Sequence, residues 1–198
     1  MLGIFLDTET NGLNAFKHRT LEIALKIVDL TTGDVIDEYS SVVYQDPIVW
    51  KQSDQLSLKV NGFTFEQVSK GKPATLVATE IVNLLQRNHV KRGSAVFICQ
   101  NPSFDRIFFS QLIDPDFQEE LHWPYYWLDL ASMYWAEGMR HGRKDPERLP
   151  WKTGFSKDKI AAAYTLPPEA SPHRAMNGVN HLLLCYKAVI GFHPKTEL

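Results

Sequence analysis

The first ten residues constrain the fold of this chain more than any other segment. MLGIFLDTET is a continuous apolar run that ends in acidic and small polar residues, followed closely by Gly12. Such a run is typical of a strand that is buried on both faces of a sheet. SAVFICQN, near the middle of the chain, has the same character and ends at Asn101 and Pro102. Two strands of this kind, the second lying between helical segments, predict an α/β domain in which they pack side by side.

The remaining segments predict a mixed sheet that is covered by helices. TLEIALKIVDL and DVIDEYSSVVY are separated by the turn-forming TTGD, which predicts two antiparallel strands and, with the first strand, a three-stranded meander. Helices are predicted over residues 74–87, over FDRIFFSQLI, over FSKDKIAAAYTL with Ser156 as N-cap, and from about Ala175. WPYYWLDLASMYW predicts a short strand that runs into a helix. Residues 138–153, rich in Gly, Pro and charge, predict an exposed basic loop.

Length and charge limit the classes of function. The 198 residues are enough for one α/β domain, so we expect a single domain over residues 1–198. The formal net charge of −2 argues against a protein that coats long nucleic acid, and it favours a contact only a few nucleotides wide. Cys99 and Cys185 lie in apolar stretches, which predicts buried free thiols. With no membrane segment predicted, we expect a reducing cytoplasmic setting.

Four polar residues stand at positions where they could form one site. Asp7 and Glu9 point to the same face of the first strand, because side chains alternate along a strand. Asp105 begins a predicted helix, and His173 lies just before the last one. Each has a plain alternative: a surface acid pair, a first-turn acid favoured by the helix dipole, and a surface or capping histidine. Repelling acids at the end of a buried strand nevertheless favour a cation between them.

A group of acids with a histidine is suited to phosphodiester cleavage. The reaction must neutralise charge on the phosphoryl oxygens, generate hydroxide and stabilise the leaving 3′ oxygen, and two divalent cations can do all three. Mg²⁺ and Mn²⁺ prefer carboxylate oxygens, so a few well-placed acids suffice. An imidazole with a pKa near 6.5 can deprotonate a metal-bound water.

The order of these motifs resembles that of the DEDDh (DnaQ-like) 3′→5′ exonucleases. The pattern consists of D-x-E after the first strand, N-x-x-F-D after the fourth, and H-x-A-x-x-(D) on a C-terminal helix. VNGFTFEQV and WLDLASMY also resemble family segments, so the likeness covers nearly the whole chain. It implies a ribonuclease H-like five-stranded mixed sheet flanked by helices, with a three-stranded antiparallel meander plus parallel strands. It also implies cleavage with two Mg²⁺ or Mn²⁺ ions that releases nucleoside monophosphates from 3′ ends.

The resemblance assigns a role to each catalytic residue. Asp7 would be a ligand of both metals, Glu9 would bind one metal and face the nucleophilic water, and Asp105 would hold the second metal. His173 would be the general base.

The resemblance also assigns residues to the terminal nucleotide. Thr8 or Thr10 would lie beside it, and Leu13 would wedge against its base, while Asn101 and Phe104 would support the pocket floor. A plain packing role is an equal alternative for Leu13, Asn101 and Phe104. Single-stranded or frayed DNA or RNA 3′ ends are the implied partner, and a polymerase or a second copy of the chain is kept as a further one.

The chain departs from the family pattern at one important place. The fourth acid of the family follows the histidine by five residues, and Gly178 stands there. Asn177, Asn180 and His181 lie nearby, but none is an evident substitute. A glycine in a helix also costs about 1 kcal/mol relative to alanine, so the sequence offers no structural reason for it.

The glycine leaves three hypotheses for the function. The first is a metal-dependent 3′→5′ exonuclease, with Gly178 tolerated or introduced to impair the site. The second is a module that binds nucleic-acid ends or a protein partner and no longer cleaves. The third is a purely structural use of the fold, which the three intact acids and the histidine weaken.

Overall fold

The centre of the molecule is a five-stranded mixed sheet. The computed structural model describes residues 1–142 and 145–192. In chain order the strands are β1 (Leu2–Thr10), β2 (Thr20–Asp29), β3 (Val35–Val42), β4 (Ala95–Cys99) and β5 (Trp127–Asp129). Across the sheet they follow the order β3-β2-β1-β4-β5. The pairs β1–β2 and β2–β3 are antiparallel, and the pairs β1–β4 and β4–β5 are parallel. The predicted meander and the predicted pairing of β4 with β1 are confirmed.

Helices flank the sheet. In the described residues they are α1 (Pro47–Trp50), α2 (Gln55–Asn61), α3 (Phe65–Val68), α4 (Ala74–Arg87), α5 (Pro102–Leu112), α6 (Pro115–Glu120), α7 (Leu130–Gly142), α8 (Pro150–Thr153), α9 (Lys157–Ala163) and α10 (Ala175–Val189), with a 3₁₀ turn at Pro146–Arg148. None of these helices is long and apolar enough to cross a membrane.

Two apolar layers hold the helices against the sheet. On one face, Ile4 and Leu6 of β1 belong to a buried cluster with Ile81 of α4 and Phe109 of α5. On the other face, Phe5 packs with residues of α7, α9 and α10. Because each face of β1 buries its own set of side chains, the strand is continuously apolar up to Leu6. By the same alternation, Asp7 and Glu9 lie on the same face of β1 as Phe5, which is the face that α10 covers.

Most of the predicted elements are confirmed, and two differences have local causes. Helices α1 to α3 and α6 were not predicted, because each has only four to seven residues and shows little apolar periodicity. The predicted basic loop over residues 138–153 is wrong in part: α7 continues to residue 142, and a 3₁₀ turn and α8 follow. The Tyr134 hydroxyl lies 3.0 Å from the Thr153 hydroxyl, which ties α8 to α7. Arg143 and Lys144 of that prediction lie outside the described residues.

The start of α10 depends on the sheet. Arg174 is its N-cap residue and makes no side-chain capping hydrogen bond. Instead, the backbone N–H of Ala175 donates to a carboxylate oxygen of Glu22 on β2, at 2.8 Å. The helix thus begins two residues after His173, at a point fixed by its contact with β2.

Candidate active site

The three predicted acids meet where β1 ends. Asp7 and Glu9 lie on the same face of β1, and Asp105 lies in the first turn of α5. All three are buried, with relative exposures of 9, 8 and 5%. The backbone N–H and the hydroxyl of Thr8 both donate to Oδ1 of Asp105, at 3.1 and 2.9 Å. These two bonds attach α5 to β1 and keep Asp105 close to Asp7, whose charge acts on it.

Burial and mutual repulsion disfavour the ionised forms of these acids. Burial is the main cause that raises the pKa of Glu9 to about 8, and the charge of Asp7 raises it further. Burial likewise raises the pKa of Asp105 to about 8, again with a contribution from Asp7. The pKa of Asp7 is also raised by burial, although the nearby Lys157 opposes the shift. A positive charge bound among these carboxylates would therefore be strongly favoured.

His173 lies at the edge of this group of acids, immediately before α10. Its side chain is 38% exposed, and its Nδ1 lies 3.6 Å from Oε1 of Glu169. Its backbone N–H donates to the Val60 carbonyl at 3.3 Å, and the Arg174 side chain donates to the Asn61 carbonyl. The histidine is thus held in place through its backbone, while its ring remains open to solvent.

Lys157, which the sequence analysis did not identify, lies inside the site. It is the first residue of α9, and its ammonium is 2.9 Å from Oδ1 of Asp7 and 2.9 Å from Oε2 of Glu169. Burial alone would lower the pKa of Lys157, but the two carboxylates raise it above its ordinary value. The lysine is therefore a fixed positive charge that partly neutralises the acids.

Glu169 was also missed, and it adds a fourth carboxylate. Its side chain is only 2% exposed. Nε2 of His181 lies 3.0 Å from the Pro167 carbonyl, and Nδ1 lies 3.7 Å from Oε2 of Glu169, so α10 contacts the segment that carries this glutamate. The spacing to His173 is four residues, but the segment is rich in proline and was not predicted to be helical. No local sequence signal places Glu169 at the site.

The structure supplies the reason for Gly178 that the sequence analysis did not find. A Cβ at this position would lie 2.2 Å from Oδ2 and 2.6 Å from Cγ of Asp7, and 3.0 Å from Nζ of Lys157. Real Cβ atoms essentially never approach other heavy atoms within 3.0 Å. The glycine therefore allows the Asp7 carboxylate to pack directly against α10.

The predicted substrate-binding residues fall into two groups. Thr8 and Thr10 are buried, and the Thr10 hydroxyl donates to the Gly12 carbonyl at 2.9 Å, as that of Thr8 does to Asp105. Leu13, Asn101 and Phe104 instead line an open groove of about 490 Å³ between the segment that follows β1 and the start of α5. The groove is also lined by Asn14, Ala15, Phe16, Ser103 and Ile107.

The donor atoms suit a hard divalent cation. Ligand atoms from Glu9, Glu169 and His173 all lie within 4.8 Å of one another. Carboxylate oxygens are the ligands that Mg²⁺ and Mn²⁺ prefer. The charge of Asp7 raises the pKa of both Glu9 and Asp105, so Asp7 lies close to both of them. Asp7 and Asp105 therefore add negative charge to the same site.

A family model described as exonuclease, of the RNase T type, matches residues 4–179. The chain belongs to the exonuclease family. The matched segment contains the three predicted acids, Lys157, Glu169, His173 and Gly178, and exonucleases of this kind use divalent metal ions. The exonuclease family that the resemblance implies is confirmed, as is the expected fold with a five-stranded mixed sheet flanked by helices. A comparison with curated proteins finds no match.

Solved structures of other exonucleases share the fold. Exonuclease I from E. coli, in complex with a dT13 oligonucleotide, is 19% identical with a TM-score of 0.68. The match covers 95% of this chain but only 40% of exonuclease I. The nuclease domain of 3′hExo, a DEDDh family member bound to rAMP, is 11% identical with a TM-score of 0.69, and 98 and 94% of the two chains are covered. Cell-death related nuclease 4 (CRN-4) is 13% identical with a TM-score of 0.70, over 97 and 65%.

Proposed function

We propose that this exonuclease-family chain is an active, divalent-metal-dependent 3′→5′ exonuclease that releases nucleoside monophosphates. One observation carries the proposal: Asp7 lies close to both Glu9 and Asp105 near the end of β1, and ligand atoms of Glu9 and His173 lie within 4.8 Å of each other. Buried acids whose charges raise one another's pKa are costly to a fold, and a bound cation offsets that cost.

Each residue of the site has a separate role in the proposed phosphodiester hydrolysis. A divalent ion held by the carboxylates would supply the charge that neutralises the phosphoryl oxygens and lowers the pKa of a bound water. His173 is the general base, because its ring is open to solvent at the edge of the acids. Oε1 of Glu169 lies 3.6 Å from Nδ1 of that ring. Glu9 faces the same space, since its carboxylate lies within 4.8 Å of both groups.

The groove between the segment that follows β1 and the start of α5 is the proposed place for the 3′-terminal nucleotides. Leu13 and Phe16 are 77 and 91% exposed, although both are large and apolar. Bases stack on such side chains without regard to sequence. Leu13, Asn101 and Phe104 contact the base in this proposal, while Thr8 and Thr10 contribute mainly by shaping the end of β1. Exonuclease I was solved with a DNA oligonucleotide and 3′hExo with rAMP, which supports single-stranded or frayed DNA or RNA ends as the substrate class.

Mg²⁺ or Mn²⁺ is the proposed metal, because both prefer oxygen ligands. The resemblance implies two ions. The position of Lys157 matters for the number of bound ions, because its ammonium already lies between the carboxylates of Asp7 and Glu169.

The alternative function is a module that binds nucleic-acid ends, or a protein partner, without cleaving. Gly178 in place of the fourth acid favours it, as does the ion pair that engages Asp7. Glu169 opposes it, because this residue restores a fourth carboxylate to the site.

The remaining expectations stay proposals. They are a single exonuclease domain over residues 1–198, a cytoplasmic location, and a polymerase or a second copy as partner. The chain spans about two fifths of the length of exonuclease I. The two described cysteines are free and buried, which agrees with a reducing setting.

End-labelled oligonucleotides test the activity. We expect the protein to shorten 5′-labelled single-stranded DNA or RNA from the 3′ end with Mg²⁺ or Mn²⁺, and to stop when a chelator is added. Glu9→Gln should lower the rate at least 100-fold, whereas Glu38→Gln, which changes an exposed acid of β3, should not. Binding of the oligonucleotide without any shortening would favour the alternative function and refute the proposal.

A further inference from the structure

Lys157 is unusual because its ammonium is enclosed by carboxylates that would otherwise be free to bind a metal ion. The side chain is only 14% exposed and bridges Asp7 and Glu169 at equal distances of 2.9 Å. An ammonium is a compact point charge, so it can fill the volume of a small cation. Buried charges persist in proteins only when they are paired, and this one is paired twice.

The backbone around Lys157 keeps the ammonium at this position. The Ser156 hydroxyl accepts from the Lys159 N–H at 3.4 Å and caps α9 immediately before Lys157. The Sγ of Cys185, on α10, lies 3.7 Å from the Lys157 carbonyl. The lysine therefore extends from a capped helix end that contacts α10, and not from a free surface loop.

Gly178 and Lys157 depend on each other. A side chain at position 178 would begin 2.2 Å from Oδ2 of Asp7 and 3.0 Å from Nζ of Lys157. An aspartate there could not coexist with the observed ion pair between Asp7 and Lys157. The missing acid and the additional lysine are thus two parts of one arrangement.

Glu169 completes this arrangement with two separate oxygens. Oε2 binds the Lys157 ammonium, whereas Oε1 is buried and accepts no hydrogen bond from any described residue. Oε1 lies on the side of His173, and Glu9 is in the same group of potential ligands. One oxygen of Glu169 is therefore engaged by the lysine, and the other is available to a ligand.

We propose that the Lys157 ammonium permanently replaces one of the two divalent ions, so that this site binds a single divalent ion. Asp7 and Glu169 hold the ammonium, while Glu9 and the unpaired Oε1 of Glu169 supply donors for the ion. Four carboxylates facing one ammonium and one divalent ion leave a single negative charge when all are ionised. A second divalent ion beside the ammonium would make the site positive and would have to displace it from Asp7. This inference rests on the proposed metal-dependent function.

The number of bound ions tests the inference without an activity assay. Mn²⁺ binding is counted by electron paramagnetic resonance of the free ion and by titration calorimetry, for the parent, Lys157→Met and Lys159→Met. Methionine keeps the length of the chain and removes the charge, and Lys159 is an exposed lysine of the same helix. We expect one ion per chain for the parent and for Lys159→Met, and two for Lys157→Met.

Stability supplies a second measurement, because Lys157→Met leaves the four carboxylates without their ammonium. With a chelator its midpoint of thermal unfolding should fall by more than 5 °C relative to the parent, and millimolar Mn²⁺ should restore most of the loss. A variant that folds only with Mn²⁺ supports the inference. A variant that stays unfolded with Mn²⁺ overturns it, because ions then fail to replace the lysine.

The possible ion counts separate the two proposals. Two ions in the parent overturn the inference and leave the metal-dependent function standing. One ion in both the parent and Lys157→Met likewise overturns the inference alone, because the lysine then excludes no ion. No ion in the parent contradicts the metal-dependent function itself.

Discussion

Replacing Gly178 by alanine should destabilise the protein, although the same change in an ordinary helix would stabilise it. The alanine gains about 1 kcal/mol of helix propensity. Against this, its Cβ would lie 2.2 Å from Oδ2 and 2.6 Å from Cγ of Asp7. Because Cγ is also too close, rotating the carboxylate is not enough, and the whole side chain must move away from Lys157. Overpacking of a buried site costs about 1–3 kcal/mol, and loss of the buried ion pair adds to that cost.

We therefore expect Gly178→Ala to lower the free energy of unfolding by about 1–2 kcal/mol net. Urea denaturation in the presence of a chelator measures it as a lower midpoint at an unchanged m-value. Asn180→Ala is the matched control, because Asn180 is exposed on the same helix and its change should be neutral or slightly stabilising. A Gly178→Ala protein about 1 kcal/mol more stable than the parent would refute the close approach of Asp7 to α10.

Two further measurements address the charge of the site and the groove. Since the pKa values of Glu9 and Asp105 are raised to about 8 in the folded chain, the fold binds more protons than the unfolded chain between about pH 4 and pH 8. In a chelator, the free energy of unfolding should therefore fall on the order of 1 kcal/mol per pH unit as the pH rises across that window. A series of melting curves with no such decline would contradict the reasoning. So would a decline that Mn²⁺ leaves unchanged. Phe16→Ala should weaken oligonucleotide binding by about 1–3 kcal/mol, or 5- to 150-fold, through lost stacking. Tyr126→Ala, which alters another exposed aromatic that does not line the groove, should bind like the parent.

The parts of the fold that the sequence predicted well are those with a strong local pattern. β1 and β4 are continuous apolar runs, and the helix over residues 74–87 has apolar positions at helical spacing that are buried in the structure. The short helices between residues 47 and 68 depend on capping side chains such as Asp54 and Thr64. A cap of this kind changes one or two hydrogen bonds and leaves no periodic signal, so these helices were missed.

The candidate site divides in the same way. Asp7, Glu9 and Asp105 could be located because each stands at the end of a buried strand or at the start of the following helix. Lys157 and Glu169 could not, because the contact between them depends on how α9 and the proline-rich segment fold back over α10. The purpose of a glycine inside a helix is equally invisible in the sequence, since it depends on a neighbour 171 positions away in the chain.

The contact between Glu22 and the first N–H of α10 has a consequence for movement during the reaction. That hydrogen bond joins the helix to β2, and Arg174 joins the preceding residues to the end of α2 at Asn61. His173 directly precedes both anchors, and its own backbone N–H donates to the Val60 carbonyl, so we expect this proposed base and the acids of β1 to shift together. If the proposed activity holds, any opening that admits a nucleotide comes from the segments over the site. Mutations that loosen the Glu22 contact should then displace the His173 ring before they weaken binding of the strand.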